Sequence, residues 1–126
     1  MKRVAFDFDG VIHSYEGGWQ GYDVIAGDLV PGVKEAMMRL KGMGYEIAII
    51  SSRALTPEGL KAIRTWLSNR GIDPDLDVDM ITAQKQPAMV YLDDRAVTFV
   101  PGMDIVATVE GFTPWMMDRP IRSAYE

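Results

Sequence analysis

The chain has 126 residues, of which 48% are hydrophobic and 25% charged, and its formal net charge at pH 7 is -5. This length suits one domain spanning residues 1–126 and is too short for two ordinary domains. Because the chain has no cysteine and one histidine, disulfides, thiolate chemistry and multi-histidine zinc sites are excluded, and any metal must bind mainly to oxygen atoms.

The net charge and the N-terminal sequence limit the kinds of partner and the location that we expect for this chain. The acidic balance gives no basic footprint for broad nucleic-acid or membrane binding. The first seven residues, MKRVAFD, reach an acid too early for a signal peptide, and no apolar run approaches the length of a membrane span. We therefore expect a cytoplasmic protein with no membrane partner.

The first predicted element is a buried strand, Val4 to Phe8, which ends in a turn opened by Gly10. Asp7 and Asp9 fall at its end, and carboxylates spaced in this way project to the same side. Two like charges about 4 Å apart repel by about 4 kcal/mol at an effective dielectric of about 20. The pair therefore implies a bound cation or a shared proton, unless both acids are solvated turn residues.

The next stretch predicts a loop, a helix and a strand. Residues 13–30 are rich in glycine and aromatic residues and predict a long loop of the kind that often carries function. A helix begins at Pro31, and its apolar stripe has helical spacing and ends before Gly42 and Gly44. The strand Glu46–Ile50 then suits burial on both faces, and Ser51 stands at its carboxyl end.

The second half of the chain repeats this alternation. A helix is predicted between an N-cap at Thr56 and a stop at Gly71, with Leu60 on its inner face. A short third strand is predicted at Met80–Thr82 and a fourth, buried strand at 88–92. Residues 98–100 and 105–108 are further strand candidates, and residues 111–126 are expected to be a tail that packs back on the domain.

Strands that alternate with helices predict an α/β fold, a three-layer parallel sheet with helices on both faces. The crossovers of such sheets are right-handed, and ligands bind beyond the carboxyl ends of the strands where strand order reverses. The polar residues that follow the predicted strands should therefore meet at one edge. These residues are Asp7, Asp9, Ser51, Asp93 and Asp94.

This set of residues resembles the four motifs of the haloacid dehalogenase (HAD) superfamily of phosphohydrolases. The matching segments are Asp7-Phe8-Asp9-Gly10, Ile49-Ile50-Ser51-Ser52-Arg53, Lys85 and Tyr91-Leu92-Asp93-Asp94. The resemblance covers residues 4 to about 100 and is closest to small capless members from bacteria and phages. It implies a Rossmann-like, HAD-like domain without a cap.

The resemblance implies a role for each matching residue. Asp7 would attack phosphorus and form an aspartyl phosphate, and Asp9 would donate and then accept the proton. Ser51 would hydrogen-bond a phosphoryl oxygen, and Lys85 would place a cation beside the developing charge. For Lys85 the alternative is an ordinary surface lysine.

The same resemblance implies a Mg²⁺ cofactor. Its ligands would be the carboxylates of Asp7, Asp93 and Asp94 and the main-chain carbonyl of Asp9, completed by water. Asp94 is expected to be the direct ligand of the acidic pair, and Asp93 to act through water.

The expected substrate contacts come from two loops and from the residues after the second strand. Arg53 is expected to bind a second phosphate or the leaving group, unless it is an exposed arginine in a loop. Trp19, with Tyr22, would stack on a flat leaving group, or else anchors its loop. A loop histidine at His13 is a structural residue or a substrate contact. The expected substrate-binding residues are Gly10, Trp19, Ser51, Ser52 and Arg53.

The absence of a cap implies an open site. Resemblance to the phosphatase domains of polynucleotide end-healing enzymes and to nucleotidases makes nucleotides or nucleic-acid termini the expected substrates, in a phosphate monoesterase reaction. A homo-oligomer could close the site. The alternatives are a noncatalytic module that binds phosphate and Mg²⁺, and a phosphotransferase that uses the same phosphoenzyme.

Overall fold

The computed structural model describes residues 2–115, which form a four-stranded, all-parallel sheet and three α-helices. The elements are β1 (Arg3–Asp7), α1 (Val33–Gly42), β2 (Glu46–Ile50), α2 (Pro57–Ser68), β3 (Met80–Thr82), β4 (Val90–Leu92) and α3 (Ile105–Gly111). A short 3-10 helix, Ser52–Leu55, precedes α2. This architecture confirms the predicted α/β class and is consistent with a three-layer Rossmann-like fold. None of the helices in this described part is long and apolar enough to cross a membrane.

The strand order, β3-β2-β1-β4, determines where a ligand would bind. The chain moves outward from β1 through β2 to β3, and then returns to place β4 on the other side of β1. Strand order therefore reverses between β1 and β4, and in parallel sheets ligands bind beyond the carboxyl ends of the strands at this switch point. Asp7 ends β1, and Asp93 and Asp94 follow β4, so all three acids lie at the switch point.

The core explains why β1 and β2 are held firmly. The parallel register pairs Val4 with Ile47 and Phe6 with Ile49, so these side chains share one face of the sheet. Two successive right-handed crossovers place α1 and α2 on one face, and residues of both helices join the same core cluster. Burying each large apolar side chain contributes about 2 kcal/mol. The ends of β1 and β2 are thus rigid supports for the residues that follow them.

The capping signals predicted for α2 are confirmed, with one exception on its inner face. The Thr56 hydroxyl oxygen accepts a hydrogen bond from the Gly59 amide at 2.9 Å, and Gly71 adopts a positive φ of 78° beyond the helix end. Leu60, predicted to face inward, instead lines an outer cleft. Gly59 is buried in its place. It packs so closely against the 3-10 helix that a Cβ there would lie 2.0 Å from the Arg53 carbonyl oxygen.

Three predictions for the C-terminal part are wrong. The fourth strand is not buried: β4 pairs within residues 2–115 with β1 alone, and Val90, Tyr91 and Leu92 are 45%, 38% and 40% exposed. Residues 98–100 form no strand. Residues 105–108 begin α3, because the Asp104 carboxylate accepts a hydrogen bond from the Ala107 amide and caps a helix there. Residues 116–126 of the predicted tail lie outside the described residues.

Candidate functional site

Three acids form a cluster at the carboxyl edge of the sheet. Asp7, Asp93 and Asp94 each offer a carboxylate oxygen, and these oxygens lie within 4.8 Å of one another. The register of β1 and β4 explains why these acids lie together, because Phe6 pairs with Leu92 and the residues after each strand continue side by side. The structure therefore brings together the three carboxylates that the sequence predicts to be metal ligands.

The electrostatics of this acidic cluster are unfavourable without a cation. Burial raises the pKa of Asp7 to about 9, and the Asp93 charge and a side-chain hydrogen bond with Asp94 add to the effect. Burial also raises the pKa of Asp94. At neutral pH the metal-free cluster therefore retains a proton, as expected when carboxylates are forced together.

The donor set fits a hard divalent ion. Three carboxylates whose oxygens converge are ligands of the kind that Mg²⁺ and similar ions prefer, and the raised pKa of Asp7 shows that burial and the neighbouring acids disfavour its charged form without a cation. The identity of the ion as Mg²⁺, and the main-chain carbonyl of Asp9 as a fourth ligand, stay predictions.

Gly10 allows the acidic cluster to be this compact. Its φ of 89° lies in the region that favours glycine, and a Cβ built on it would lie 2.1 Å from a carboxylate oxygen of Asp94. The Gly10 carbonyl oxygen also accepts a hydrogen bond from the Trp115 indole at 2.6 Å, as expected for a tail that packs back on the domain. Gly10 thus lets the Asp94 carboxylate lie directly against the backbone, while its predicted contact with substrate stays a prediction.

Asp9 lies two residues from Asp7 but has a different environment. Its Oδ2 accepts a hydrogen bond from Arg53 Nε at 2.9 Å, and its Oδ1 accepts from Arg53 Nη2 at 3.2 Å. Oδ1 is also 2.8 Å from His13 Nδ1. Both oxygens of this carboxylate are therefore held by donors that belong to the chain.

The hydrogen bonds of His13 assign its tautomer and its role. The Gly27 amide donates to His13 Nε2 at 2.8 Å, so Nε2 is the acceptor and Nδ1 carries the proton donated to Asp9. The ring is buried and stacks on Phe8, with a centroid separation of 5.7 Å. This placement favours the structural reading of His13 over substrate contact.

Ser51 follows β2 at the same edge of the sheet, because its neighbour Ile50 pairs with Asp7. The side chain is buried, and its oxygen accepts a hydrogen bond from the Arg53 amide at 3.2 Å. As a hydroxyl group it retains its own proton for another acceptor, which suits the predicted contact with a phosphoryl oxygen. Ser52 begins the 3-10 helix beside it.

Lys85 packs against an aromatic side chain of β4. Its ammonium lies 4.9 Å from the centroid of the Tyr91 ring, and within residues 2–115 it forms no ion pair with Asp7, Asp93 or Asp94. Its predicted role as the cation at the reaction centre stays a prediction.

Arg53 is fully buried rather than exposed. Its guanidinium group stacks over the Trp19 ring at 4.7 Å, and Trp19 packs edge-on against Tyr22 at 5.1 Å. These contacts favour the reading in which the aromatic residues anchor their loop. The Arg53 side chain has no exposed surface, so its predicted substrate contact would require this loop to open.

The acidic cluster is separate from two surface clefts along α2. Two clefts of about 830 Å³ and about 460 Å³ lie along α2, and neither is lined by Asp7, Asp93 or Asp94. In the described residues, a loop separates β1 from α1, and α2 with its connector separates β2 from β3. Asp93 is exposed and Asp7 and Asp94 are partly buried, so in the described residues the acidic cluster reaches the surface at the edge of the sheet.

Fold and site together define a parallel α/β protein with an acidic cluster at its switch point. No model of a known family matches the chain, and no curated protein matches it. A solved structure of a conserved protein from Bacteroides thetaiotaomicron is similar, with a TM-score of 0.57 and 21% identity over 94% of this chain and 98% of that chain. At this identity the likeness shows the fold alone.

The pairing of Asp9 with Arg53 and His13 was not predicted. Arg53 is 44 residues from Asp9 in the chain, and no periodicity connects them. His13 lies four residues after Asp9, but a turn rather than a helix brings them together, since three successive amides donate to the Phe8 carbonyl oxygen. The motif spacing alone gave no signal for either contact.

Proposed function

We propose that the chain is a Mg²⁺-dependent phosphohydrolase that cleaves phosphate monoesters through an aspartyl phosphate on Asp7. The supporting observation is the convergence of Asp7, Asp93 and Asp94 at the switch point of the sheet. A phosphate dianion could not approach these carboxylates without a cation. A bound Mg²⁺ ion would neutralise this charge and orient the phosphoryl group.

The proposed reaction has two steps. A carboxylate oxygen of Asp7 forms a bond to phosphorus while the bond from phosphorus to the leaving oxygen breaks, and Asp9 gives a proton to that oxygen. Water then attacks the phosphorus atom, the bond to Asp7 breaks, and Asp9 takes the proton of the water. The Ser51 hydroxyl donates to a phosphoryl oxygen, and Lys85 supplies a cation after leaving the Tyr91 ring.

The open edge supports large or terminal phosphate groups as substrates. Nucleotides and the ends of nucleic acids fit this description, whereas long duplex contacts are disfavoured by the net charge of -5. A second copy of the chain would close the edge in a homo-oligomer. A cytoplasmic location completes the proposal.

A second candidate is a noncatalytic module that binds Mg²⁺ and phosphate. It is favoured by the engagement of both Asp9 oxygens with Arg53 and His13, and by the position of Lys85 over Tyr91. In this case the acidic cluster would still bind the ion, but no proton donor would be ready for the leaving oxygen.

A panel of phosphate monoesters separates the two functions. Wild type should release phosphate with Mg²⁺ and not with a chelator, and Asp7→Asn should lower turnover by about 10³-fold or more because the nucleophile is lost. Asp75→Asn is the control, since its exposed carboxylate pairs with Arg64, and neither residue has a role in the proposed reaction. Unchanged turnover in Asp7→Asn or in chelator would contradict the hydrolase. Binding of Mg²⁺ and phosphate by an inactive wild type would support the binding module.

A further inference from the structure

The guanidinium group of Arg53 connects two parts of the molecule that the proposed reaction does not itself connect. One is the Asp9 carboxylate, which it contacts through Nε and Nη2. The other is the loop backbone at residues 21–24, where Nη1 donates to the carbonyl oxygens of Gly21, Tyr22 and Val24 at 2.7, 3.0 and 3.0 Å. One buried side chain thus holds both.

The geometry of the group suits this task. A guanidinium group carries its five N–H donors in a rigid plane, and here the donors divide between a carboxylate on one side and carbonyl oxygens on the other. The Trp19 ring covers one face of the plane. A lysine at this position would present one compact ammonium group and could not hold both sides at once.

The main chain of Arg53 is fixed as well. Its amide donates to Ser51 Oγ, and its carbonyl oxygen lies close to Gly59, where a Cβ would be 2.0 Å away. The side chain has 0% of its surface exposed. Arg53 therefore has little freedom to move, and the groups that it contacts have correspondingly few alternatives.

We propose that Arg53 is a positioning residue that orients the Asp9 carboxylate and, through the same guanidinium group, sets the position of the loop at residues 19–24 relative to it. The inference rests on the proposed function, because Asp9 is the residue expected to touch the leaving oxygen. A displacement of about 1 Å in a catalytic group can cost about 10²-fold in rate, so loss of this contact should lower kcat more than it raises KM.

The test compares Arg53 with Arg70, whose guanidinium group makes the same kinds of contact at a more exposed place. Arg70 also stacks on an aromatic ring, that of Trp66 at 4.0 Å, and binds carbonyl oxygens and the exposed carboxylate of Asp28. It contacts none of the site acids. The variants are Arg53→Ala, Arg53→Lys, Arg70→Ala and Arg70→Lys, assayed with Mg²⁺ on the best monoester of the panel.

Arg53→Ala and Arg53→Lys should each lower kcat by about 10²-fold, and millimolar guanidinium chloride should restore part of the kcat of Arg53→Ala. Both Arg70 variants should stay within about threefold of wild type, since a residue outside the site acts only on stability. A folded Arg53→Lys with wild-type kcat would overturn the proposal. So would a loss of kcat in Arg53→Ala that guanidinium and sodium ions restore equally.

If wild type proves inactive, the proposed function fails but the role of Arg53 can still be tested. A second measurement, which does not depend on activity, is hydrogen exchange. Exchange of the Val24 amide hydrogen, which donates to the Gly21 carbonyl oxygen, should become at least about tenfold faster in Arg53→Lys. It should stay unchanged in Arg70→Lys, because Arg53 and not Arg70 donates to the Gly21 and Val24 carbonyl oxygens. Equal exchange in wild type and Arg53→Lys would overturn the positioning role. If Arg53→Ala does not fold, Arg53→Lys carries both measurements.

Discussion

Asp7 and Asp9 lie two residues apart, yet their surroundings are opposite. The Asp9 carboxylate is held by the guanidinium group of Arg53 and the imidazole of His13. Asp7 faces two further carboxylates, and its pKa is raised to about 9 by burial and by the Asp93 charge. Asp9 is thus paired with two donors of the chain, whereas Asp7 lies among acids whose charge a bound cation would neutralise.

This difference explains how one turn can carry an acid that fixes the local geometry and another that is left for a ligand. A buried ion pair that is well hydrogen-bonded fixes geometry, and removing one partner is costly. An uncompensated cluster instead costs stability until a cation or proton arrives. The Asp9 side therefore acts as a rigid support, and the acidic cluster formed by Asp7, Asp93 and Asp94 is the side that a ligand would complete.

The largest expected effect comes from Asp9→Asn. The substitution leaves the buried charge of Arg53 without its carboxylate, and we expect the metal-free protein to lose about 3 kcal/mol of unfolding free energy. Asp7→Asn should have the opposite sign, because at pH 8 the wild-type chain must take up a proton at Asp7 when it folds, whereas Asn needs none. Urea unfolding of both variants at pH 8 measures the two effects. Destabilisation by both substitutions would remove the distinction between the two acids.

Gly10→Ala should be the next largest effect. A Cβ at this residue would displace the Asp94 carboxylate in addition to straining the backbone. We expect a loss of about 2 kcal/mol, of which about 1 kcal/mol is the cost of the left-handed conformation. Gly102→Ala is the matched control, because Gly102 has a φ of 90° and no atom within 4 Å of its Cβ position. If Gly10→Ala and Gly102→Ala lose the same unfolding free energy and bind Mg²⁺ with equal affinity, the position of the Asp94 carboxylate does not depend on Gly10.

The metal-free protein should become less stable as the pH rises from about 6 to 9. Asp7 binds its proton more tightly in the folded chain, where its pKa is about 9, than in the unfolded chain, where it is 3.8. Stability is therefore full below the unfolded value and is lost as the pH rises through the folded one, by at most about 1.4 kcal/mol per pH unit. Asp28 and Asp79, whose pKa values are lowered, do not titrate in this window.

Thermal unfolding in chelator at several pH values measures this slope. Asp7→Asn should flatten it, and saturating Mg²⁺ should flatten it in wild type. A slope that is the same in wild type and Asp7→Asn would place the titrating group elsewhere.

The smallest effect is expected from Lys85→Gln. The exposed contact with the Tyr91 ring contributes at most about 1 kcal/mol, and no ion pair with the acidic cluster is lost in the described structure. The pH dependence of metal-free stability should therefore match that of wild type. A steeper loss of stability at high pH in this variant would mean that Lys85 compensates Asp7 in solution.

Much of this comparison could be predicted from the sequence. Apolar runs that end at Asp7, Ser51 and Asp93 predicted both the parallel strands and the edge at which the polar residues meet. The sequence predicted strands β2 and β3 at their observed bounds, Glu46–Ile50 and Met80–Thr82. These features are local, because each depends on the change from apolar to polar residues at a strand end.

The remaining features depend on contacts that local patterns do not encode. The pair of Arg53 with Asp9 joins two distant loops. The exposure of β4 follows from its place in the strand order, which a run of apolar residues does not reveal. The β-branched residues from Ile105 onward resemble a strand, but the cap at Asp104 starts a helix, and such competition between capping and side-chain preference is decided by context.

Mg²⁺-dependent stabilisation of the acidic cluster is the most direct test of the account. The measurement is the unfolding temperature at pH 8 with and without Mg²⁺, for wild type, Asp94→Asn and the control Asp75→Asn. At about 100 times the dissociation constant, Mg²⁺ should stabilise wild type and the control by about 2.7 kcal/mol, or about 10 °C, and Asp94→Asn far less. No shift in wild type, or an equal shift in all three proteins, would contradict a metal site at these carboxylates.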